Sequence, residues 1–340
     1  MDTDTWQFRP ADLRTAVERK RISLVVPVLN EEGQIDAFLD ELAEPVEQLG
    51  RLLGHPEPVE IIFVDDGSTD ATAALIANRL TARDDLRLVR LSRNFGKDPA
   101  LAAGLAAARG DAVIPIDVDL QDPPEVIPNM VAAWLAGAKV VNAKRITRET
   151  DSYLKRRSAE LFYRIYNKLA RDPIPENVGD FRLLDREVVD TLNRFPERIR
   201  FMKGLFAWIG YRQETVHYDR AERSSGESKW RFWSLWNFAL DGITGSSTVP
   251  LRIWTYFGIV LALGALCYAA VLVAKTLIYG IDAPGYASLM VVTLVLGAFN
   301  MISIGILGEY IGRISVEVRR RPLYIVEDTL GFDTKNDGTA

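Results

Sequence analysis

The stretch "VEIIFVDDGSTDATAALIANRL" (59–80) decides how this 340-residue chain begins to fold. Its first part is a short apolar, β-branched run that ends at two carboxylates, Asp65 and Asp66, and a turn residue, Gly67. Its second part, from Ser68 on, has helical spacing. The same order recurs on both sides. "RISLVVPVLN" (21–30) leads into "EGQIDAFLDELAEPVEQL" (32–49), "LRLVRLS" (86–92) leads into "PALAAGLAAARG" (99–110), and "DAVIPID" (111–117) is a fourth run. Such βαβα order predicts an α/β fold, a mostly parallel sheet with helices on both faces. Pro115 is awkward inside the fourth run, because proline cannot donate to a sheet ladder and belongs at an edge or bulge.

The apolar residues, 48% of the chain, are unevenly spread. No charge occurs in the 22 residues from Ile253 to Ala274 or in the 26 from Ala283 to Gly308. A helix of about 20 apolar residues crosses the roughly 30 Å hydrocarbon layer, so both stretches qualify as spans of a tight hairpin. Lys229, Arg231 and Arg252 precede the first span and Arg313, Arg319, Arg320 and Arg321 follow the second, while the connecting loop offers only Lys275. Positive residues stay in the cytoplasm, so a multi-pass inner-membrane protein with both termini cytoplasmic is expected. Charges are scattered through the first 22 residues and no apolar core interrupts them, so no signal peptide is expected there. The single cysteine, Cys267, excludes a disulfide framework within the chain, and a net charge of -5 gives no support for nucleic-acid binding.

Ligands of open α/β sheets bind beyond the carboxyl ends of the strands. Those ends carry Asn30 and Glu31, then Asp65 and Asp66, then Asp117, Asp119 and Gln121 in "IDVDLQDPP" (116–124). If the backbone stays extended after Ile116, side chains 117, 119 and 121 share one face. Crowded carboxylates repel unless a cation joins them, and Mg2+ or Mn2+ favours such oxygen donors while leaving sites for a diphosphate. The plainer reading is that D-x-D is a surface turn and that Ser68 or Thr69 caps a helix. Neither G-x-G-x-x-G after a strand nor G-x-x-x-x-G-K-[ST] occurs, and His55 and His217 support no catalytic triad.

"VVPVLNEE" (25–32), "VDDGSTD" (64–70), "LSRNFGKDPALAAGL" (91–105), "DVDLQDPPE" (117–125) and "ERSSGESKW" (222–230) together resemble family 2 glycosyltransferases of the GT-A fold. The nearest likeness is to the polyprenyl-phosphate branch, which includes dolichyl-phosphate mannose synthase and the bactoprenol glucosyltransferases. The resemblance implies that Pro27, Leu29, Glu31 and Asp66 line the nucleotide pocket with Asp65 close by. It further implies that Asp117 and Val118 sit at the ribose and diphosphate, and that Asp119 and Gln121 hold the metal. Arg145, Arg223 and Lys229 match basic positions directed at the donor diphosphate and the lipid phosphate. One departure is that Arg156 is followed one helical turn later by Glu160, where some members carry a serine.

Two anions about 4 Å apart at an effective dielectric of 20 repel by about 4 kcal/mol, which gives those basic residues work. Arginine suits phosphate through its paired hydrogen bonds, and lysine adds a compact charge. The expected organisation is an extension (1–20), a catalytic domain (21–228), an amphipathic interface region (229–250), two spans (251–279 and 283–309) and a cytoplasmic tail (310–340). In the interface region Trp230, Trp233 and Trp236 recur every three residues, as headgroup-level aromatics do. A second amphipathic stretch covers 153–171. Asn300 and the small residues Gly297, Ser303, Gly305 and Gly308 suit packing within the hairpin or between copies in a homo-oligomer. The expected activity is metal-dependent, inverting transfer of a sugar to polyprenyl phosphate. UDP-glucose and undecaprenyl phosphate are the leading pair by resemblance. GDP-mannose, UDP-GlcNAc, UDP-GalNAc or a UDP-aminoarabinose derivative are alternative donors, and a nucleotide-sugar-binding scaffold is the alternative class. A processive synthase would carry Q-x-x-R-W, which is missing.

Overall fold

In the computed structural model, which describes residues 20–54, 59–145, 178–195, 197, 202–218, 249–279 and 285–332, the chain falls into two units. The first holds the described residues up to 218 and from 322 on, and the second holds those from 249 to 321. The first unit contains β1 (Ile22–Val28), α1 (Ile35–Leu53), β2 (Val59–Asp65), α2 (Thr72–Leu80), β3 (Leu86–Leu91), α3 (Lys97–Ala107) and β4 (Ala112–Pro115). It continues with α4 (Ile127–Leu135), β5 (Val140–Arg145), β6 (Val178–Asp185), α5 (Arg186–Asn193), α6 (Met202–Trp208) and β7 (Gln213–Tyr218). These strands and a later one, β8 (Val326–Leu330), form one sheet in the order β7-β5-β6-β4-β1-β2-β3-β8. Pairs β1–β2, β1–β4, β2–β3 and β5–β7 are parallel, and β4–β6, β5–β6 and β3–β8 are antiparallel.

Alternation along the strands loads both faces of the sheet. Ile22, Leu24 and Val26 pack with Phe38 and Leu42 of α1 and with Met130 and Trp134 of α4. Val25, Ile62 and Val64 pack instead with Leu101 and Leu105 of α3 and with Val188 and Val189 of α5. Helix α3 lies close on the sheet because residue 104 has no side chain: a β-carbon at Gly104 would run into Val25 and Val64. Pro115 is accommodated by the sheet order. The next amide, Ile116 N–H, donates to Val25 O at 3.0 Å, so the proline nitrogen points the other way, towards β6. That strand pairs with β4 only at Ala112 and Val113, and no ladder bond is lost.

Gly67 has φ +76°, and a β-carbon there would lie 2.6 Å from the backbone carbon of Arg93. Gly67→Ala is therefore expected to cost at least about 1–2 kcal/mol for the left-handed backbone alone, with the contact adding more. A thermal melt of the purified protein should show a fall of several degrees, roughly 2–4 °C per kcal/mol for a unit of this size; an unchanged melting temperature would refute the close approach of these two loops.

The end of the chain differs from expectation. Instead of a tail from residue 310, helix continues to Arg319 and β8 joins the open edge of β3. Gly331, at φ +80°, and Phe332 follow it, the ring lying 5.6 Å from the Arg109 guanidinium. The second unit consists of α7 (Val249–Tyr279) and α8 (Tyr286–Arg319), both long and apolar enough to cross a membrane. They touch through Trp254 and Phe257 of α7 and Phe299 of α8, with the Phe257 and Phe299 rings 5.0 Å apart. Most of their apolar surface is exposed, including Leu266, Cys267 and Leu289. Among the described residues, nothing lies within 4 Å of where a β-carbon would stand at Gly297, Gly305 or Gly308. The amphipathic stretch expected at 153–171 and residues 229–248 of the one expected at 229–250 lie outside the described residues, while 249 and 250 already belong to α7.

Candidate active site

The loops after β1, β2 and β3 interlock beyond the strand ends. Asp66 is 4% exposed, and its two carboxylate oxygens accept the backbone N–H groups of Phe95 (2.7 Å) and Gly96 (2.9 Å). Burial pushes this carboxyl above its ordinary value and Asp65 adds to the rise, against the pull of those two amides and of Arg93. Asp65, also buried, accepts the Ser68 N–H at 3.0 Å. Across the gap the Asn30 N–H donates to Ser68 Oγ at 2.9 Å, the Glu31 N–H to Thr72 Oγ1 at 2.9 Å, and the Thr69 N–H to Asn30 Oδ1 at 2.8 Å. Asn30 takes φ 55°, a left-handed conformation that asparagine tolerates. Both aspartates thus shape the loops on which Leu29 and Glu31 stand, with Leu29 exposed at the lip, while Pro27 lies within β1 and lines the pocket beside Lys97 and Asp117.

Beyond β4 the chain does not stay extended. It turns at Val118 and Asp119, Leu120 takes φ 55°, and the Gln121 N–H donates to Asp119 Oδ1 at 3.1 Å. Val118 is buried. The expectation that alternation alone sends 117, 119 and 121 to one face is therefore corrected, because a turn breaks the period on which it relied. Asp117 instead faces a small pocket between β4 and α3, where Lys97 Nζ lies 2.7 Å from Asp117 and 3.2 Å from Asp180 of β6. Burial works against the lysine charge, but the two carboxylates overcome it and hold the ammonium well above the ordinary lysine range. Asp122 lines the same pocket and accepts the Tyr218 hydroxyl at 2.6 Å.

Lys97, Asp180, Asp122 and Tyr218 were not among the residues singled out from sequence. A signal for the first exists: Lys97 opens α3, and a cation in the first turn opposes the helix dipole unless an anion holds it. Asp180 and Tyr218 reach the site only through the sheet order, which no local pattern reveals. Arg145 ends β5, and Arg223 and Lys229 lie outside the described residues. Among the described residues no cluster of three or more acidic, histidine or cysteine side chains is preformed for a metal. The donor set nevertheless fits a hard divalent ion, since two carboxylates and an amide oxygen on one turn supply oxygen ligands only and leave room for phosphate.

Residues 23–192 match glycosyl transferase family 2, and residues 249–314 match the GtrB C-terminal hairpin. The chain is 52% identical over 308 residues to the SfII prophage-derived bactoprenol glucosyl transferase of Shigella flexneri, covering 90% of this chain and 97% of that one. It belongs to glycosyl transferase family 2. A second relative of this glycosyltransferase, an uncharacterised glycosyltransferase of Synechocystis, is 47% identical over 92% of this chain and 96% of its own. Among solved structures, the mannosyltransferase from Pyrobaculum calidifontis in complex with GDP-Man and Mn2+ is similar at 22% identity and a TM-score of 0.45, covering 88% of this chain and 87% of that one. The glycosyltransferase thus carries a family 2 domain and a GtrB-type C-terminal hairpin in one polypeptide.

Proposed function

We propose that this glycosyltransferase moves glucose from UDP-glucose to a polyprenyl phosphate, undecaprenyl phosphate in a bacterial inner membrane, with inversion at the anomeric carbon. The observation that carries the reading is the 52% identity to a bactoprenol glucosyl transferase across both the sheet and the hairpin. Strand order supports the topology. β7 precedes the two apolar helices, β8 follows them, and both belong to one sheet, so an even number of crossings returns the chain to the side it left. The basic residues flanking the hairpin make that side the cytoplasm.

Asp119 and Gln121, with Asp117, are the residues that would hold Mg2+ or Mn2+, which when bound would neutralise charge on the departing nucleoside diphosphate. Pro27 and Asp65 at the ends of β1 and β2, with Leu29, Glu31 and Asp66 on the loops beyond them, form the nucleotide side. Asp117 and Val118 meet the ribose and diphosphate, and Lys97 keeps Asp117 in place at the pocket floor. Arg145, Arg223 and Lys229 bring the acceptor phosphate against the donor by offsetting their repulsion. A phosphate monoester is already mostly dianionic at pH 7, so the attacking oxygen carries no proton to remove and no general base takes part. Catalysis then comes from positioning and charge stabilisation.

The sign of the pH dependence follows. Transfer per acceptor should fall as pH drops below about 6, because the monoprotonated phosphate is the weaker nucleophile. Above that it should level off. A pH–rate profile at low acceptor concentration checks this, and a second ionisation abolished by replacing one carboxylate outside the metal loop would show that a base is used after all. The reading as a whole is tested by offering a panel of labelled UDP- and GDP-sugars with undecaprenyl phosphate in detergent. Labelled lipid from UDP-glucose alone is the expected result. No labelled lipid from any donor, in folded protein that binds nucleotide, would sink it in favour of a scaffold.

A further inference from the structure

Strand β8 does more than cover the edge of β3. Its pairing runs Leu88↔Leu330, Val89↔Thr329 and Arg90↔Asp328, then shifts to Leu91↔Val326, so Glu327 is the extra residue of a bulge with no partner opposite. Bulges recur beside active sites, where they redirect a side chain. This one brings Glu327 Oε2 to 3.4 Å from Arg90 Nη2. The other side of the same guanidinium faces the donor loops: Arg90 Nε lies 4.0 Å from Asp65 Oδ2, buried and without a hydrogen bond of its own. Asp65 in turn accepts the Ser68 amide, and Ser68 Oγ accepts the amide of Asn30, the residue between Leu29 and Glu31. A continuous line of contacts therefore runs from the strand made after the hairpin to the loop after β1.

We propose that Glu327 and Arg90 are positioning residues for the nucleotide: the bulge of β8 holds Arg90 against Asp65, and Asp65 holds the loop on which the donor rests. Arg90 meets Asp65 by charge and not by a hydrogen bond, so its position depends on what grips its far side, and that is Glu327. Two neighbouring buried carboxylates, Asp65 and Asp66, also need a cation beside them. Asp66 is tied by two amides, whereas Asp65 has one amide and Arg90. This inference rests on the donor-site reading of these loops, and it adds the strand beyond the hairpin to that site.

The test uses the full-length protein in detergent and UDP as the probe, with binding measured by calorimetry and transfer by donor titration. Glu327→Gln is expected to weaken UDP binding about fivefold, the upper end for a partly exposed ion pair. The KM for UDP-glucose should rise equally, with kcat and the melting temperature unchanged. Glu327→Asp, which keeps the charge, should recover part of the loss. Asp328→Asn removes a charge that lies opposite Arg90 in the ladder but is bonded to the Thr329 amide instead, so it should change UDP binding less than Glu327→Gln. In an Arg90→Gln background, Glu327→Gln should add no further loss, because both act through one contact. Equal UDP affinity in Glu327→Gln and wild type, an equal loss in Asp328→Asn, or a fall in kcat at unchanged KM would each overturn the proposal and leave the donor-site reading standing. Failure of the wild type to bind UDP would overturn both.

Discussion

Asp119→Ala is expected to lower kcat for sugar transfer by about a thousandfold, the scale on which removal of a group that stabilises transition-state charge is felt. The side chain is half-buried on the turn after β4, and its described bond is to the Gln121 amide of the same turn. It supports no packing, so the melting temperature should stay within about 2 °C of wild type, as for surface changes outside the core. What disappears is a carboxylate proposed to hold the divalent ion against the departing diphosphate. EDTA should inhibit the wild type to a similar degree and add little to the variant, since both remove the same interaction. Gln121→Ala, which takes away a proposed neutral ligand, should cost less. Full activity of the wild type in EDTA, restored by nothing and lost to nothing, would end the metal-dependent account.

The second large effect is expected at Lys97. Lys97→Met keeps the length and apolar stem of the side chain but leaves Asp117 and Asp180 facing a pocket without the cation that now joins them. Repulsion between the two carboxylates should displace Asp117, and transfer should fall by about a hundredfold. Lys97→Arg, which retains the charge in a bulkier form, should retain a larger share of activity. Kinetics at saturating donor separate this from a loss of folding, because α3 is anchored elsewhere by Leu101 and Leu105 against the sheet. Near-normal kcat in Lys97→Met would show that the ion pair is a structural bystander.

Much of this architecture is written locally. The runs that become β1 to β4 are short, largely apolar and rich in β-branched residues, as strands buried on both faces are, and they stop at polar or turn-forming residues; the two apolar stretches are long enough to declare themselves. The carboxylates at the strand ends were equally plain. Their arrangement was not, because it hangs on one residue: Leu120 at φ 55° turns the chain where an extended backbone had been assumed, and leucine gives no sign of adopting that conformation. Lys97 and Asp180 are 83 residues apart in number and meet at 3.2 Å only because β6 inserts beside β4. β8 was hidden for a related reason. "VEDTL" is polar and its residues stay largely exposed, so no hydrophobic period marks it, and only its pairing with β3 makes it a strand.

That pairing also sets an order of events at the ribosome. The strands β1 to β7 emerge first, and β3 is then left with one bare row of amides and carbonyls while the whole hairpin is still being made and inserted. An unpaired edge of this kind invites association with other chains. Only when residues 326–332 have been synthesised, after both spans, is that row of β3 paired, and the edge passes to β8, a short, bulged strand carrying Glu327 and Asp328. Completion of the sheet is thereby made to wait for the hairpin, and a nascent chain released before its last strand would carry the edge of β3 uncovered.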